Sequence, residues 1–379
     1  MRIENIFLKV VGGFVNILSD AERRHHLSQL SCLMLGVLLI MHATFRGTYS
    51  DLDAHRYIEW YESLRDLDWR GFFEGASAGL YFDSHTSFRF EVGFASIAFI
   101  CVELGFGLEA FFFVCATASI LPKVFAISRY SLSPLSTLAW YVSWYYVLFE
   151  MNAIRVGIAN AVLIMGLRHI LSGNLLRFIP FVVIGSLFHV SAIVGLLLIM
   201  VRWIKIDARL IALMLAGSVI LSFVPMVVVF EPLGGLNAKI REHLVLLQQQ
   251  EVYSTINVFN AITLLRMAIL SALLYTLSHI KWSNIEQLGL WAMGLSLALY
   301  FSLASFPVVA GRLSQLIGMF QIFVTPVLLR GFKPKFIPRF FFILLIIAQF
   351  YAVVFYSRLA DFFYFTNITW LRFPLAIQP

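Results

Sequence analysis

Residues 178–201, FIPFVVIGSLFHVSAIVGLLLIMV, contain a single ionisable side chain, His189. A helix needs about 20 apolar residues to cross a hydrocarbon layer of about 30 Å, so this stretch alone predicts a membrane protein. Comparable runs cover residues 30–45, 90–104, 106–125, 134–149, 153–171, 210–230, 259–279, 288–306, 313–329 and 340–356. The sequence therefore predicts an all-α polytopic membrane protein with about eleven (10 to 12) transmembrane helices. Of the 379 residues, 60% are hydrophobic and 13% charged, against about 45–50% and about 25% in soluble domains. Eleven such helices use up most of the apolar residues and exclude an extramembrane catalytic domain. Apolar stretches that run on without alternation argue against a transmembrane barrel.

The remaining segments organise the chain as one membrane domain. Residues 1–27 read as an interfacial amphipathic helix followed by a cytoplasmic segment: Ile3, Ile6, Phe7, Val10 and Phe14 recur at helical spacing, and Arg23 and Arg24 follow. Residues 46–89 and 231–257 are polar external loops, and 358–379 form an external tail. The second loop reads either as a lid or as a solvated surface helix. The net charge of +7 fits basic residues gathered at cytoplasmic helix ends better than a nucleic-acid partner. The three cysteines, Cys32, Cys101 and Cys115, all lie in apolar runs and leave no disulfide framework.

One conflict arises on counting spans. With a cytoplasmic N-terminus, continuous spans place Lys123, Arg129, Arg168 and Arg177 outside and Arg155 inside, against the positive-inside bias. A broken or re-entrant segment around 186–191, together with a second irregular one near 90–104, restores agreement. Irregular backbone at membrane depth is tolerated where it lines a cavity. Both countings stay open on the sequence alone.

Candidate chemistry centres on Asn152-Ala-Ile-Arg155-Val-Gly-Ile-Ala159 and Ser186-Leu-Phe-His189-Val-Ser191-Ala192. An arginine opening an apolar helix is costly unless it finds a partner, a wet cavity or an interface to snorkel to. A histidine in such a run calls for the same explanation, with a helix–helix hydrogen bond as the plain alternative.

These two stretches, in this order, resemble the EpsG/Wzy group of bacterial polysaccharide polymerases. Further points of resemblance are Ser50-Asp51, then Asp53, Tyr57 and Tyr61 after the first span. Others are Phe90-Glu91-Val92-Gly93-Phe94, with Val92 where the group carries proline, and Gly311-Arg312-Leu313. Arg155 and Gly166 also fit a loose Arg-x10-Gly spacing. The resemblance covers roughly residues 30–330 and implies a fold GT-C-like in general character. It implies a polymerase of undecaprenyl-diphosphate-linked oligosaccharide repeat units, acting at the outer face of the inner membrane without cofactor or metal. Implied partners are the lipid-linked oligosaccharide, membrane lipids, a chain-length regulator and a flippase.

Residue chemistry suits that activity. Guanidinium groups answer phosphate bidentately, making Arg155, Arg312, Arg46 and Arg266 candidates for diphosphate binding. An acceptor hydroxyl needs a base, for which His189, Asp53 and Glu91 are candidates. Tyr57, Tyr61, Tyr253 and Trp60 offer faces for sugar stacking, or else belong to an interfacial belt. Asp51 and Asp53 together could alternatively hold a divalent cation. An O-antigen ligase or another lipid-linked glycosyltransferase would use similar residues. A transporter would be expected to show internal repeats with matched broken helices, and the sequence has none. A membrane acyltransferase fits less well still.

Overall fold

The computed structural model describes residues 20–45, 52–76, 81–83, 89–223, 259–304, 307–332, 334 and 336–351. These are helical apart from one short antiparallel pair, β1 (Tyr81–Asp83) and β2 (Arg89–Glu91). Helix α1 (Asp20–Thr44) begins ten residues before the run predicted from the sequence. The first polar segment, expected as a loop, contains α2 (Leu52–Ser63) and α3 (Trp69–Ala76) ahead of the strands. Three helices, His25–Thr44, Leu108–Tyr130 and Val309–Gly331, are long and apolar enough to cross a membrane.

Contacts fix the direction of the chain. Helix α4 (Val92–Glu103) has 12 residues, about 18 Å at 1.5 Å per residue, short of a bilayer core. Just past its end stands Gly105, whose φ of +70° favours glycine. The chain then turns directly into α5 (Leu108–Tyr130), and Phe94 of α4 meets Phe111 of α5 at 5.5 Å. Both helices thus begin and turn at one end of the bundle. α5 runs to the far end, where Gln29 of α1 donates to the Ser128 carbonyl at 2.8 Å.

From that end α6 (Pro134–Tyr141) leads back and passes into a π-helical segment, Val142–Glu150. The wider winding is carried through by bonds from Met151 N–H to the Tyr146 carbonyl (3.3 Å) and from Ala153 N–H to the Leu148 carbonyl (3.0 Å). Such segments concentrate at functional sites. α7 (Ile154–Met165) then returns alongside α5 and leads into α8 (Leu167–Ser172).

The stretch that suggested a full span does not make one. α9 (Leu175–Phe188) rises from the basic end and stops at His189, whose backbone is extended (φ −158°, ψ 121°). A 3-10 helix, Val190–Arg202, then descends beside it. A Cβ on Gly173 would lie 2.7 Å from Arg202 Cγ, and one on Gly185 would lie 3.1 Å from Ala192 Cβ. Entry and exit therefore share one end, and residues 175–202 form a helical hairpin. The break expected around 186–191 is present at His189, with Arg177 and Arg202 at one end of the hairpin, whereas the second irregular segment expected near 90–104 is instead a short regular helix, α4. Lys123 is no loop charge at all, being fully buried.

The remaining elements are α10 (Ala208–Ser222), α11 (Ala261–Leu277), α12 (Asn284–Ser302), α13 (Pro307–Gly318), α14 (Leu328–Gly331) and α15 (Phe336–Tyr351). Their starts follow sequence rules. Asp207 and Asn260 accept from backbone N–H groups three residues on, and Ser283 with Glu286 forms a capping box. Arg330 pairs with Glu286 at the basic end. At the other end Asn260 meets Tyr300 at 3.0 Å.

Lys123 Nζ lies 2.5 Å from Glu150 Oε1 and 2.8 Å from Ser119 Oγ; the Tyr141 hydroxyl donates to the same carboxylate oxygen at 2.8 Å. The pair ties α5 to the end of the π segment. Gly157 admits α7 beside it, since a Cβ there would fall 2.8 Å from Ser119 Oγ. Removing one partner of a buried ion pair costs about 3–5 kcal/mol, whereas replacing both is often neutral. Lys123→Met should therefore lower the detergent melting temperature sharply, and Lys123→Met with Glu150→Leu should recover most of it. Equal loss in both variants would refute a pair held by mutual compensation.

Candidate functional site

Arg155 sits in the first turn of α7, where the π segment ends and Asn152 and Ala153 break the helix. Its guanidinium forms an ion pair with Glu91 and lies 4.8 Å over the Phe90 ring. Tyr57 makes electrostatic contact with it from α2. Arg155 keeps 19% of its side chain exposed and Glu91 3%. Buried Nε of Arg155 has no hydrogen-bond partner among the described residues. The arginine thus has both a partner and a cavity.

That cavity holds about 280 Å³ and is lined by Tyr57, Leu148, Asn152, Ala153, Arg155, Val156, His189, Arg312 and Gln315. Five separate pieces of chain meet here: α2, the π segment and its exit, α7, the break at His189, and α13. The two irregular stretches explain how polar groups reach this depth. Gly93 lets α4 approach α9 closely, because a Cβ would fall 2.8 Å from the Leu187 carbonyl oxygen. Glu91 is thereby held next to the His189 break. His189 is buried; its Nδ1 is 2.5 Å from Ser191 Oγ and accepts from Ser191 N–H at 3.3 Å. Arg312 is exposed at the rim.

The structure thus gathers Arg155, Arg312, His189 and Tyr57, with Glu91 behind Arg155. Other expected residues do not join them. Arg266 lies outside the cavity lining and donates to Ser296 Oγ at 2.6 Å, which in turn donates to the Ser314 carbonyl at 2.5 Å. It braces the helix that carries Arg312 and Gln315, so the expectation of direct diphosphate contact is replaced by support from behind. Tyr61 is fully buried, donates to the Phe106 carbonyl at 2.9 Å and stacks on Phe111. Trp60 is buried between Phe90 and Phe94. Neither presents a face to a sugar, because both are used to anchor α2 on α4 and α5. For Asp53 only the backbone position in α2 is described; Arg46, Asp51, Tyr253 and the 231–257 loop lie outside the described residues.

Sequence reasoning passed over Asn152 and Gln315 as site residues and missed the Lys123–Glu150 pair below them. A lysine and a glutamate in apolar runs were themselves a signal, since such groups are expensive and seldom idle.

Burial separates the two arginines' neighbours in energetic terms. A hydrogen bond to a charged group contributes about 1.5–3 kcal/mol, so Glu91→Gln should lower thermal stability by an amount of that order. Arg312→Gln, at an exposed rim, should shift it by under about 0.5 kcal/mol. Reversed effects in a melting assay would contradict the assignment of Glu91 as the buried anchor.

No curated protein and no solved structure matches the chain. The EpsG family model matches residues 29–370, a range that includes Tyr57, Glu91, Arg155, His189 and Arg312. A membrane bundle of this build, matched over nearly its whole length, belongs to the EpsG family, whose members are polysaccharide polymerases.

Proposed function

We propose that the chain polymerises undecaprenyl-diphosphate-linked oligosaccharide repeat units, transferring a growing glycan onto the sugar of a second lipid-linked unit and releasing undecaprenyl diphosphate. One observation carries this: Arg155 and Arg312, from helices far apart in sequence, line one cavity with His189 and Tyr57. In the transfer, the bond between the anomeric carbon and the diphosphate oxygen breaks and negative charge develops on the leaving group. Fixed guanidinium groups in a water-poor site stabilise such charge far better than they would in bulk water. Glu91 orients Arg155 and takes up part of its charge, leaving buried Nε for a phosphate oxygen. Arg312 at the rim has the freedom to meet the donor as it enters. A volume of about 280 Å³ suits the diphosphate and the adjoining sugar; the rest of the glycan extends outward.

The proposed setting follows from charge. The basic end faces the cytoplasm by the positive-inside bias, and the cavity then opens toward the outer side of a bacterial inner membrane. On this view nine segments cross the membrane, while α4 and the 175–202 hairpin enter and return. The chain is one membrane domain, GT-C-like in general character, working with a flippase that delivers the units and a regulator of chain length.

Arg155→Ala should abolish long-chain polymer and leave single-unit material, read as the loss of a ladder on glycan gels. Arg312→Lys should shorten chains strongly, since a point charge does not replace the bidentate fork. Normal ladders from both variants at normal protein abundance would reject the role of this cavity.

A further inference from the structure

We infer that the carboxamides of Asn152 and Gln315 read the sugar joined to the diphosphate, through hydrogen bonds to its hydroxyl or acetamido groups, and so select which repeat units the cavity admits. The inference rests on the reading of the cavity as a diphosphate site and adds the part of the donor that the two amides meet.

The lining divides by chemistry. Leu148, Ala153 and Val156 are apolar, and the polar side chains are Tyr57, Asn152, Arg155, His189, Arg312 and Gln315. Arg155 is paired with Glu91, Tyr57 is in contact with Arg155, and His189 is hydrogen-bonded to Ser191. Asn152 and Gln315 differ. Both are half-buried, and among the described residues neither amide has a hydrogen-bond partner. Polar groups at such depth are satisfied by water or by a ligand.

An amide offers what an arginine lacks. A guanidinium only donates, which suits phosphate oxygens, whereas a carboxamide both donates and accepts. An ionised diphosphate has no proton to give to an acceptor. A sugar hydroxyl does, and so does the N–H of an acetamido group. Among the described residues no carboxylate lines the cavity, so the amide oxygens of Asn152 and Gln315 supply acceptors for a sugar's protons. A site built to hydrogen-bond a hydroxyl rejects an analogue that lacks it, because its own polar groups are then left unpaired.

Placement agrees. Gln315 follows Arg312 by three residues on α13, about 4.5 Å along the axis on the same face, and burial rises from the exposed arginine to the half-buried glutamine. Asn152 precedes Arg155 by three residues, in the break before α7. Each arginine thus has an amide near it on its own piece of chain. A sugar bonded to a diphosphate between the arginines lies among all four groups in a cavity of about 280 Å³.

The test compares two probes by calorimetry on the purified full chain. One is farnesyl diphosphate, which carries no sugar; the other is the single lipid-linked repeat unit extracted from cells that lack this protein. Asn152→Leu and Gln315→Met keep side-chain size and remove the hydrogen bonds. Each should bind farnesyl diphosphate within about twofold of the unmodified protein and the sugar-bearing unit about tenfold more weakly. Asn152→Ala and Gln315→Ala, which leave room instead of apolar bulk, should give the same pattern. Arg155→Ala should weaken both probes. If the amide variants bind the sugar-bearing unit normally, or lose both probes in equal proportion at an unchanged melting temperature, this inference is overturned and the diphosphate reading stands. If Arg155→Ala binds both probes as the unmodified protein does, the diphosphate reading fails first.

Discussion

A guanidinium group in an apolar bundle is tolerated only with a counter-charge, hydrogen-bond acceptors or water close by. Arg155 obtains the first from Glu91 and the last from a cavity, and much of the structure follows from meeting those needs together. Glu91 reaches the arginine from the end of β2, immediately before α4 begins. The cavity lies beside it, with the end of α9 at His189 forming part of the lining. Packing on both sides depends on small residues: Gly93 admits the Leu187 backbone, and Gly157 admits the Lys123–Glu150 pair.

Beneath the cavity, two buried polar clusters brace its walls. Lys123, Glu150, Ser119 and Tyr141 fix the end of the π segment, from which Leu148, Asn152 and Ala153 face the cavity. On the opposite wall Arg266, Ser296 and the Ser314 carbonyl fix α13. Charged groups therefore occur in the bundle at two levels, one meeting the cavity and one supporting it.

Much of this was legible in the sequence, where residue chemistry leaves few options. Apolar length announced a helical membrane protein, though among the described residues only three helices are long and apolar enough to cross, and the charge imbalance pointed to the break at His189 but not to the π segment. The cost of an unpaired arginine singled out Arg155. Other features depend on packing that no single stretch records. Tyr57, Trp60 and Tyr61 look alike as external aromatics, yet only Tyr57 turns to the cavity, while the other two bind α2 to α4 and α5. Arg266 and Arg155 each lie in an apolar helix; what separates them is the neighbour each meets, a serine in one case and a glutamate in the other. The π winding of residues 142–150 carries no signature beyond its bulky aromatics.

The hairpin of residues 175–202 also ties together parts of the chain that are far apart in sequence. By length and apolar character residues 178–201 match an ordinary crossing, and the local signal for doubling back is confined to His189 and its cap on Ser191 N–H. What holds the returning strand of the hairpin includes Trp291, whose indole N–H donates to the Leu197 carbonyl at 3.0 Å. That tryptophan leaves the ribosome 94 residues later. The hairpin thus rests on helix α7, shortly before it in the chain, and on a helix of the C-terminal half, joining the two halves of the bundle.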